Sequence, residues 1–388
     1  MKAIELLEIL SGGETSKVQF KREFNSKDAI AAEIIAFSNT KGGMILFGVE
    51  DNGTVCGLDF QQLKDCNDSM TRIANDNVKP QVFLFTEVVT ISAENEEKKV
   101  LVVQVLEGTG KPYKDNNGTI WIKQGADKRR LTDNNEQIRL FQQSGLLYVD
   151  EMIIPQTSID DVEFSKVEKY LNVIQKKETD KITITETLLN NLNIVRKNQL
   201  TLGGLLFFAK HPQKYRPAFC IKAVSFFGNS IGGNDYRDNI EITGTIPQLF
   251  EEGMRFFNTN LLHMQKGQNF NTTGILEISG IALEEILQNA LIHRDYSINS
   301  PVRIMIFDDR VELISPGSLP NNLTIENIKM GSAVVRNNLL ASYCSKLMTY
   351  RGFGSGIARA IENQPDIEFV NEVDGELFKV IIPRPEKK

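Results

Sequence analysis

The sequence predicts a multidomain chain of α/β and α+β class, and three observations carry that prediction. Its 388 residues exceed what a single hydrophobic core usually serves. The first 140 or so alternate helical and strand periods, as a compact α/β unit does. The last stretch orders its elements as a helix, two strands, further helices and two closing strands, the pattern of a helical layer over a mostly antiparallel sheet. The expected division is an N-terminal domain over 1–145, a linker and helical segment over 146–200, an intermediate α/β region over 201–270 and a C-terminal α/β sandwich over 271–388.

Each element follows from local pattern. A short acidic amphipathic helix covers about residues 2–10, and 14–24 alternates like a strand. Residues 29–39 carry Ala, Ile and Phe at helical spacing; Lys41-Gly-Gly43 then turns the chain into the apolar strand 44–49. Glu50-Asp-Asn-Gly53 is a hairpin turn signal, followed by a helix near 61–75 and strands near 83–92, 99–106 and 118–123. Thr132, with Glu136 beyond it, reads as the N-cap of a helix over 132–143. Residues 146–165, with Pro155 and several acidic side chains but no period, read as a linker. Helices at 165–177 and 185–192 precede an apolar segment at 201–209, a break at His211-Pro212, a strand at 218–227, a turn at 231–235 and a long helix at 246–264. The final segment reads as helix 281–294, strands 301–307 and 310–315, helices 324–329, 335–349 and 355–363, and two closing strands.

Composition excludes several classes. No run of eighteen apolar residues exists, so no membrane-spanning helix is expected, and the N-terminus lacks signal-peptide form. The four cysteines, Cys56, Cys66, Cys220 and Cys344, have no C-x-x-C spacing and read as reduced thiols of a cytoplasmic protein. Three histidines are too few for a His-rich metal centre, and neither His211 nor His263 is given a catalytic role. The net charge of −6 weighs against a general nucleic-acid surface, because phosphate neutralisation supplies most of such affinity; a local patch can override it. The candidate patch is Lys123, Lys128, Arg129 and Arg130, with Lys17, Lys21 and Arg22 upstream.

The pattern richest in chemistry is the run from Ile281 to Tyr296. Glu285 and Asn289, four apart, share one helical face beside an apolar stripe that includes Ile286, Leu287 and Ala290. A carboxylate one turn from an amide oxygen suits Mg²⁺, and the Glu can orient a water toward a phosphate. Two glycine-bearing loops follow: Leu313-Ile-Ser-Pro-Gly-Ser-Leu-Pro320 at a strand end, and Arg351-Gly-Phe-Gly-Ser-Gly-Ile357 opening a helix. Glycines there let backbone N–H groups approach a phosphate.

At these residues the chain resembles the GHKL ATPases, whose Bergerat fold has this order of elements. It is more closely similar to a bacterial family, ATP-binding proteins and transcriptional regulators, that pairs a Schlafen-type Alba-like domain with a divergent GHKL domain. The strings carrying this are Asn289-Ala-Leu-Ile-His-Arg-Asp-Tyr296, Asp309-Arg-Val-Glu-Leu-Ile-Ser-Pro-Gly317, Arg336-Asn337 and Gly354-Ser-Gly356. Toward the N-terminus they are Glu14-Thr-Ser-Lys-Val-Gln-Phe-Lys21, Ala36-Phe-Ser-Asn-Thr-Lys-Gly-Gly43 and Phe47-Gly-Val-Glu-Asp-Asn-Gly53. The resemblance implies ATP or ADP with Mg²⁺ as cofactors, Asn289 as metal ligand, Glu285 as the catalytic base, and Asp295, Ser315, Gly317, Arg336, Gly354, Ser355 and Gly356 as cofactor-binding residues. One departure is that GHKL ATPases place an Asp, the acceptor for the adenine amino group, where Ser315 stands.

In Schlafen ribonucleases a Glu-x-x-x-x-Glu pair and a later acidic residue hold a metal ion that activates water. Here the positions are Glu14, Gln19 and either Glu50 or Asp51, so one charge is lost and a nuclease is disfavoured; a weak ATPase stays compatible with the residues. The resemblance implies DNA or RNA as partner, with no membrane and with homo-oligomerisation open. The leading expectation is a nucleotide-responsive nucleic-acid-binding regulator or defence component. The alternatives are a Schlafen-like metal-dependent nuclease and an assembly protein with a degenerate GHKL domain.

Overall fold

The computed structural model describes residues 1–93, 96–175, 183–232, 235–265, 274–320, 323–350, 352 and 354–385, and the chain forms two compact units, Met1–Leu147 and Tyr148–Lys388. The first unit runs α1 (Ala3–Ser11), β1 (Val18–Lys21), α2 (Lys27–Asn39), β2 (Gly43–Phe47) and α3 (Phe60–Asp76). It continues with β3 (Leu84–Ala93), β4 (Glu96–Val105), β5 (Trp121–Gln124), β6 (Asp127–Arg130) and α4 (Asn134–Gln143). A four-stranded sheet has the order β1-β2-β4-β3, with β1 and β2 parallel and the other pairs antiparallel. Strand alternation divides its side chains between two cores. Leu46, Val100 and Val102 meet Leu6 and Leu10 of α1, whereas Ile45, Phe47, Leu101 and Val103 meet Ile30, Ile34 and Phe37 of α2 and Met70 and Ile73 of α3.

Helix α2 is buried from Ile30 to Asn39, a run that one apolar stripe on a sheet would not produce. Its other cover is the β5–β6 hairpin. Asn39 fastens the two together: its Nδ2 donates to the carbonyls of Tyr113 and Trp121, each at 2.9 Å, and its Oδ1 accepts from the Tyr113 N–H at 2.7 Å. Close approach explains the glycines that follow. A Cβ on Gly43 would stand 2.3 Å from the Phe37 ring, and one on Gly42, at φ +68, would stand 2.8 Å from backbone atoms of Val105 and Glu107.

The second unit contains α5 (Phe164–Gln175), α6 (Glu186–Asn191), the short pair β7 (Val195–Arg196) and β8 (Gln199–Leu200), α7 (Leu202–Phe208), β9 (Ile221–Phe226), β10 (Tyr236–Ile242) and α8 (Ile246–Asn260). Next come the short pair β11 (His263–Met264) and β12 (Ile275–Leu276), α9 (Gly280–Ile292), β13 (Val302–Ile306) and β14 (Arg310–Pro316). The chain closes with α10 (Ile325–Lys329), α11 (Asn338–Leu347), α12 (Gly356–Asn363), β15 (Glu368–Glu372) and β16 (Leu377–Pro383). The large sheet has the order β10-β9-β13-β14-β16-β15 and is antiparallel except between β9 and β13. Ile304 and Ile306 enter the main core beneath the helices, while Met305 joins Phe307 and Ile314 in a small cluster on the other sheet face. No helix among the described residues is long and apolar enough to cross a membrane.

Four expectations differ in detail. Residues 146–165, read as a linker, are packed: Val149, Ile154 and Val162 are buried in the second unit's core. The acidity that suggested solvent there includes Asp150, a wholly buried residue whose Oδ2 accepts the N–H groups of Leu339 and Leu340 at 2.7 and 3.1 Å and so caps the start of α11. The N-cap of α4 is Asp133, which accepts from the Glu136 N–H at 2.9 Å, so the helix starts later than Thr132 suggested. Strands β6 and β10 had no apolar signal, because β6 pairs with β5 alone and β10 is a largely exposed sheet edge. Parts of the expected helix at 165–177, the turn at 231–235 and the loop residues Arg351 and Phe353 lie outside the described residues.

Asp150 generates a pH dependence. Burial pushes its carboxyl from 3.8 up to about 6, the two N–H donors opposing, and Oδ1 has no partner among the described residues. The folded state therefore holds the proton more tightly than the unfolded chain, and this group's contribution to stability is full below about pH 4 and lost as pH rises through about 6. Asp150→Asn keeps an acceptor oxygen without the titration. Urea unfolding followed by circular dichroism should show the wild-type stability, measured relative to Asp150→Asn, falling by up to about 3 kcal/mol across that window. Parallel curves for the two proteins would contradict this.

Candidate functional site

Helix α9 buries Ala282, Leu283, Ile286, Leu287 and Leu291 in the core, which turns Glu285, Asn289 and His293 toward a cavity walled by β14, α12 and the loops before them. Glu285 Oε1 accepts from Arg359 Nη1 at 2.6 Å, with 16% of the Glu285 side chain and 35% of the Arg359 side chain exposed. Asn289 Nδ2 donates to the Glu285 carbonyl at 2.8 Å, so the amide oxygen is the end left for a ligand.

The second glycine loop meets this helix face. A Cβ on Gly356 would lie 2.5 Å from Glu285 Oε2 and 3.2 Å from Asn289 Nδ2, so only glycine lets the start of α12 come so near the pair. Gly354, at φ +73, has its missing Cβ position 2.3 Å from the Gly331 carbonyl oxygen. Ser355 precedes α12 without capping it through its side chain, which leaves the first N–H groups of that helix for another acceptor. Carboxylate, amide oxygen and uncapped backbone N–H groups are a donor and acceptor set that fits a phosphate chain with Mg²⁺.

At the back of the cavity Ser315 donates its hydroxyl hydrogen to the Ala290 carbonyl at 3.0 Å, so its lone pairs are what remain for a ligand. His293 Nε2 lies 3.0 Å from the Tyr350 hydroxyl. Burial, and then the charge of Arg336, push the His293 imidazole down to about 4, so it is neutral at physiological pH. The walls are otherwise largely apolar, with Leu313, Leu319, Ile328 and Phe378 among them.

Seven of the sequence-selected residues line this one cavity: Glu285, Asn289, Ser315, Gly317, Gly354, Ser355 and Gly356. Asp295 and Arg336 stand behind it. Asp295 accepts from the Ser297 N–H and hydroxyl, and Arg336 donates to the carbonyls of His293, at 3.2 Å, and Ser318, at 2.7 Å. A Cβ on Gly317, at φ +98, would sit 2.5 Å from Asp295 Cβ and 2.6 Å from Arg336 Nη1, so these residues fix the strand-end loop. Asn337 Nδ2 adds bonds to the carbonyls of Ile292 and Arg294 at 2.7 and 2.9 Å. His293, Tyr350 and Arg359 are among the cavity residues not selected from sequence. Spacing offered a signal for two of them: His293 is one turn beyond Asn289, and Arg359 lies in the first turn after Gly356.

In the first unit, Glu14, Gln19, Glu33, Lys123 and Lys128 form a connected network. Gln19 Nε2 donates to Glu14, which also accepts the Phe20 N–H at 2.8 Å. Lys123 Nζ lies 2.9 Å from Gln19 Oε1 and 3.5 Å from Glu33 Oε2, bonds the Ala126 carbonyl, and stands 5.0 Å from the centre of the Phe37 ring. Burial lowers the pKa of Lys123, with the Glu33 charge opposing. Glu33 was not selected from sequence, because on a helix of Ala and Ile it carries no motif; Glu50 instead lies 3.6 Å from Arg22.

The basic residues do not form one open patch. Lys123 is buried, Lys128 bonds Glu33 at 2.6 Å, Arg129 bonds Glu136 at 2.6 Å and Lys21 Nζ donates to the Phe20 carbonyl at 2.7 Å. Lys17, Arg22 and Arg130 are exposed, and Arg130 lies over the Trp121 ring at 5.3 Å. No group of three or more His, Cys, Asp or Glu able to hold a metal is present among the described residues.

Comparisons with known proteins give matches to family models and to solved structures. Residues 14–132 match the Schlafen, AlbA_2 family; residues 299–382 match HATPase_c_4, described as the C-terminal part of the recG ATP-dependent DNA helicase; residues 139–222 match a domain of unknown function, DUF8451. The HATPase_c_4 match begins after α9, so Glu285 and Asn289 lie outside it. The crystal structure of the DIP2311 protein from Corynebacterium diphtheriae is 18% identical, over 99% of this chain and 80% of that one, with a TM-score of 0.46. The chain carries a Schlafen AlbA_2 domain followed by a HATPase-type domain, the architecture its motifs resemble.

Proposed function

We propose that the protein is a nucleotide-responsive nucleic-acid-binding regulator or defence component that takes ATP or ADP with Mg²⁺ in the α9 cavity. The observation that carries this is the approach of the Gly354–Gly356 loop to Glu285 and Asn289. Asn289, through its amide oxygen, and Glu285 would hold the ion, which when bound supplies positive charge against the phosphate oxygens. The backbone of the glycine loop would take the phosphates, and Glu285 would orient water. Ser315, with its hydrogen engaged by Ala290, would accept from the exocyclic amino group of adenine. A neutral acceptor replaces a charged one there, a change worth about 1.5–3 kcal/mol, so discrimination among bases is weaker than an Asp gives.

Isothermal titration tests the cofactor assignment directly. Asn289→Ala should weaken Mg²⁺-dependent ATP or ADP binding by about tenfold or more, as loss of a metal ligand or its support does. Unchanged affinity, or wild type that binds neither nucleotide, would rule the assignment out.

The AlbA_2 match and the exposed cations Lys17, Arg22 and Arg130 support a DNA or RNA partner for the first unit. Because the chain is acidic overall, affinity should be modest and steeply salt-dependent. Each of these residues reversed to Glu should reduce affinity and lower the log–log salt slope by about 0.7–0.9 in fluorescence anisotropy. A triple variant that binds as wild type does would exclude this surface.

Gln19 and the Lys123 ammonium between Gln19 and Glu33 argue against efficient metal-dependent cleavage, since the cluster's negative charge is already offset. Little cleavage of transfer RNA or single-stranded DNA is expected with Mg²⁺ or Mn²⁺. Robust metal-dependent cleavage that vanishes in Glu14→Ala would establish the nuclease instead.

A further inference from the structure

Glu285 and Arg359 are the charged side chains among the described residues lining the α9 cavity, and they are bonded to each other at 2.6 Å. The carboxylate is thus engaged on both sides: Oε1 meets Arg359, and Oε2 lies against the start of α12 at Gly356. A divalent cation approaching this pair alone meets a resident guanidinium on its carboxylate ligand. Ion pairing with a carboxylate in a partly dehydrated cavity is strong enough to compete with a weakly held ion. The Arg359 backbone is held within its helix, where its N–H donates to the Ser355 carbonyl at 2.9 Å, and its side chain is the more exposed of the two. Its long, flexible stem lets the head group exchange partners without moving α12.

We infer that Arg359 is a gating residue that makes divalent-cation binding at Glu285 conditional on a polyphosphate ligand. This rests on the cavity being a nucleotide site. A phosphate chain carries several negative charges and draws the guanidinium from Glu285, because planar bidentate recognition of phosphate favours Arg. Glu285 is then an unpaired carboxylate beside further negative charge, which is the condition under which a divalent ion is held most strongly. Polyphosphate first and cation second is the resulting order. Each ligand raises the affinity of the other through the same ion pair.

The test uses the full chain, ATP and inorganic tripolyphosphate as phosphate ligands, and Mn²⁺ as the cation. Titration calorimetry in EDTA reads phosphate binding alone, and electron paramagnetic resonance of free Mn²⁺ reads cation binding once the Mn²⁺ taken up by ATP or tripolyphosphate in a protein-free titration is subtracted. Wild type should bind Mn²⁺ at least about tenfold more tightly with ATP present than without it. Glu285→Gln, which releases Arg359, should raise metal-free ATP and tripolyphosphate affinity by about tenfold. Arg359→Ala should lower that affinity by a similar factor and acquire Mn²⁺ binding without nucleotide, while Arg359→Lys falls between. Glu285→Gln is isosteric, and melting temperatures establish that all the variants are folded.

Metal-free affinities unchanged in both Glu285→Gln and Arg359→Ala, with wild type still binding ATP and Mg²⁺, would overturn the gate and leave the nucleotide site standing. Mn²⁺ binding to wild type that is equally tight with and without ATP would do the same. Absence of ATP and tripolyphosphate binding in every variant would remove both.

Discussion

The second unit depends on how tightly its helical elements converge on one face of α9. That helix has a conventional buried stripe, but its polar face is enclosed too, because a glycine at the start of α12 lets another backbone lie against Glu285 and Asn289. Its C-terminal end is fixed by Arg336 and Asn337, which bond the carbonyls of Ile292, His293 and Arg294. Unsatisfied carbonyls at a helix end normally turn to water. Here they receive side-chain donors from a segment that also holds the strand-end loop through Ser318, so helix, loop and cavity wall share one set of hydrogen bonds. Rigidity at the base of the cavity and exchangeable charge at its mouth are therefore separate properties supplied by different arginines.

The first unit uses a lysine in a comparable but immobile way. Lys123 is enclosed by Gln19, Glu33, the Ala126 carbonyl and the Phe37 ring. Removing an ammonium from water is expensive, and its partners must return most of that cost through short hydrogen bonds and opposite charge. Breaking such an arrangement from one side leaves an uncompensated buried charge, which is worse than having neither partner. The network holds β1, α2 and the β5–β6 hairpin in register across the layers of the unit. Basicity in the string from Lys123 to Arg130 thus serves the interior at some positions and the surface at others.

Much of this was legible in the sequence, for identifiable reasons. Strands β2 and β4 stand out as apolar runs and helices α8 and α12 as amphipathic periods, and the Glu285/Asn289 pair and its two glycine loops line one cavity. Polar segments whose burial is tertiary were not legible. Asp150 resembles a linker residue until the N–H groups of α11, almost two hundred positions later, are brought to it. Glu33 had no motif, and β6, the second strand of the β5–β6 hairpin, carried only a basic string where the expected strand ended at 123. Arg359 lies on α12 with no motif of its own beyond the glycines that open the helix. In each instance the missing information was the identity of a partner far along the chain.

The bonds of Asn39 to Tyr113 and Trp121 have a consequence for the order in which the first unit is assembled. They span 74 and 82 residues, so during synthesis α2 is complete long before the hairpin that covers its outer side exists. Contacts of such separation are closed late, because the loop entropy must be met before they contribute. A nascent chain halted before residue 113 would present Glu33 and Asn39 to the ribosome surface and to chaperones rather than to Lys123 and the hairpin. Truncated products of this protein would then carry an open helical face, which makes the Trp121–Arg130 ribbon the element that ends the unit's exposure to the folding machinery.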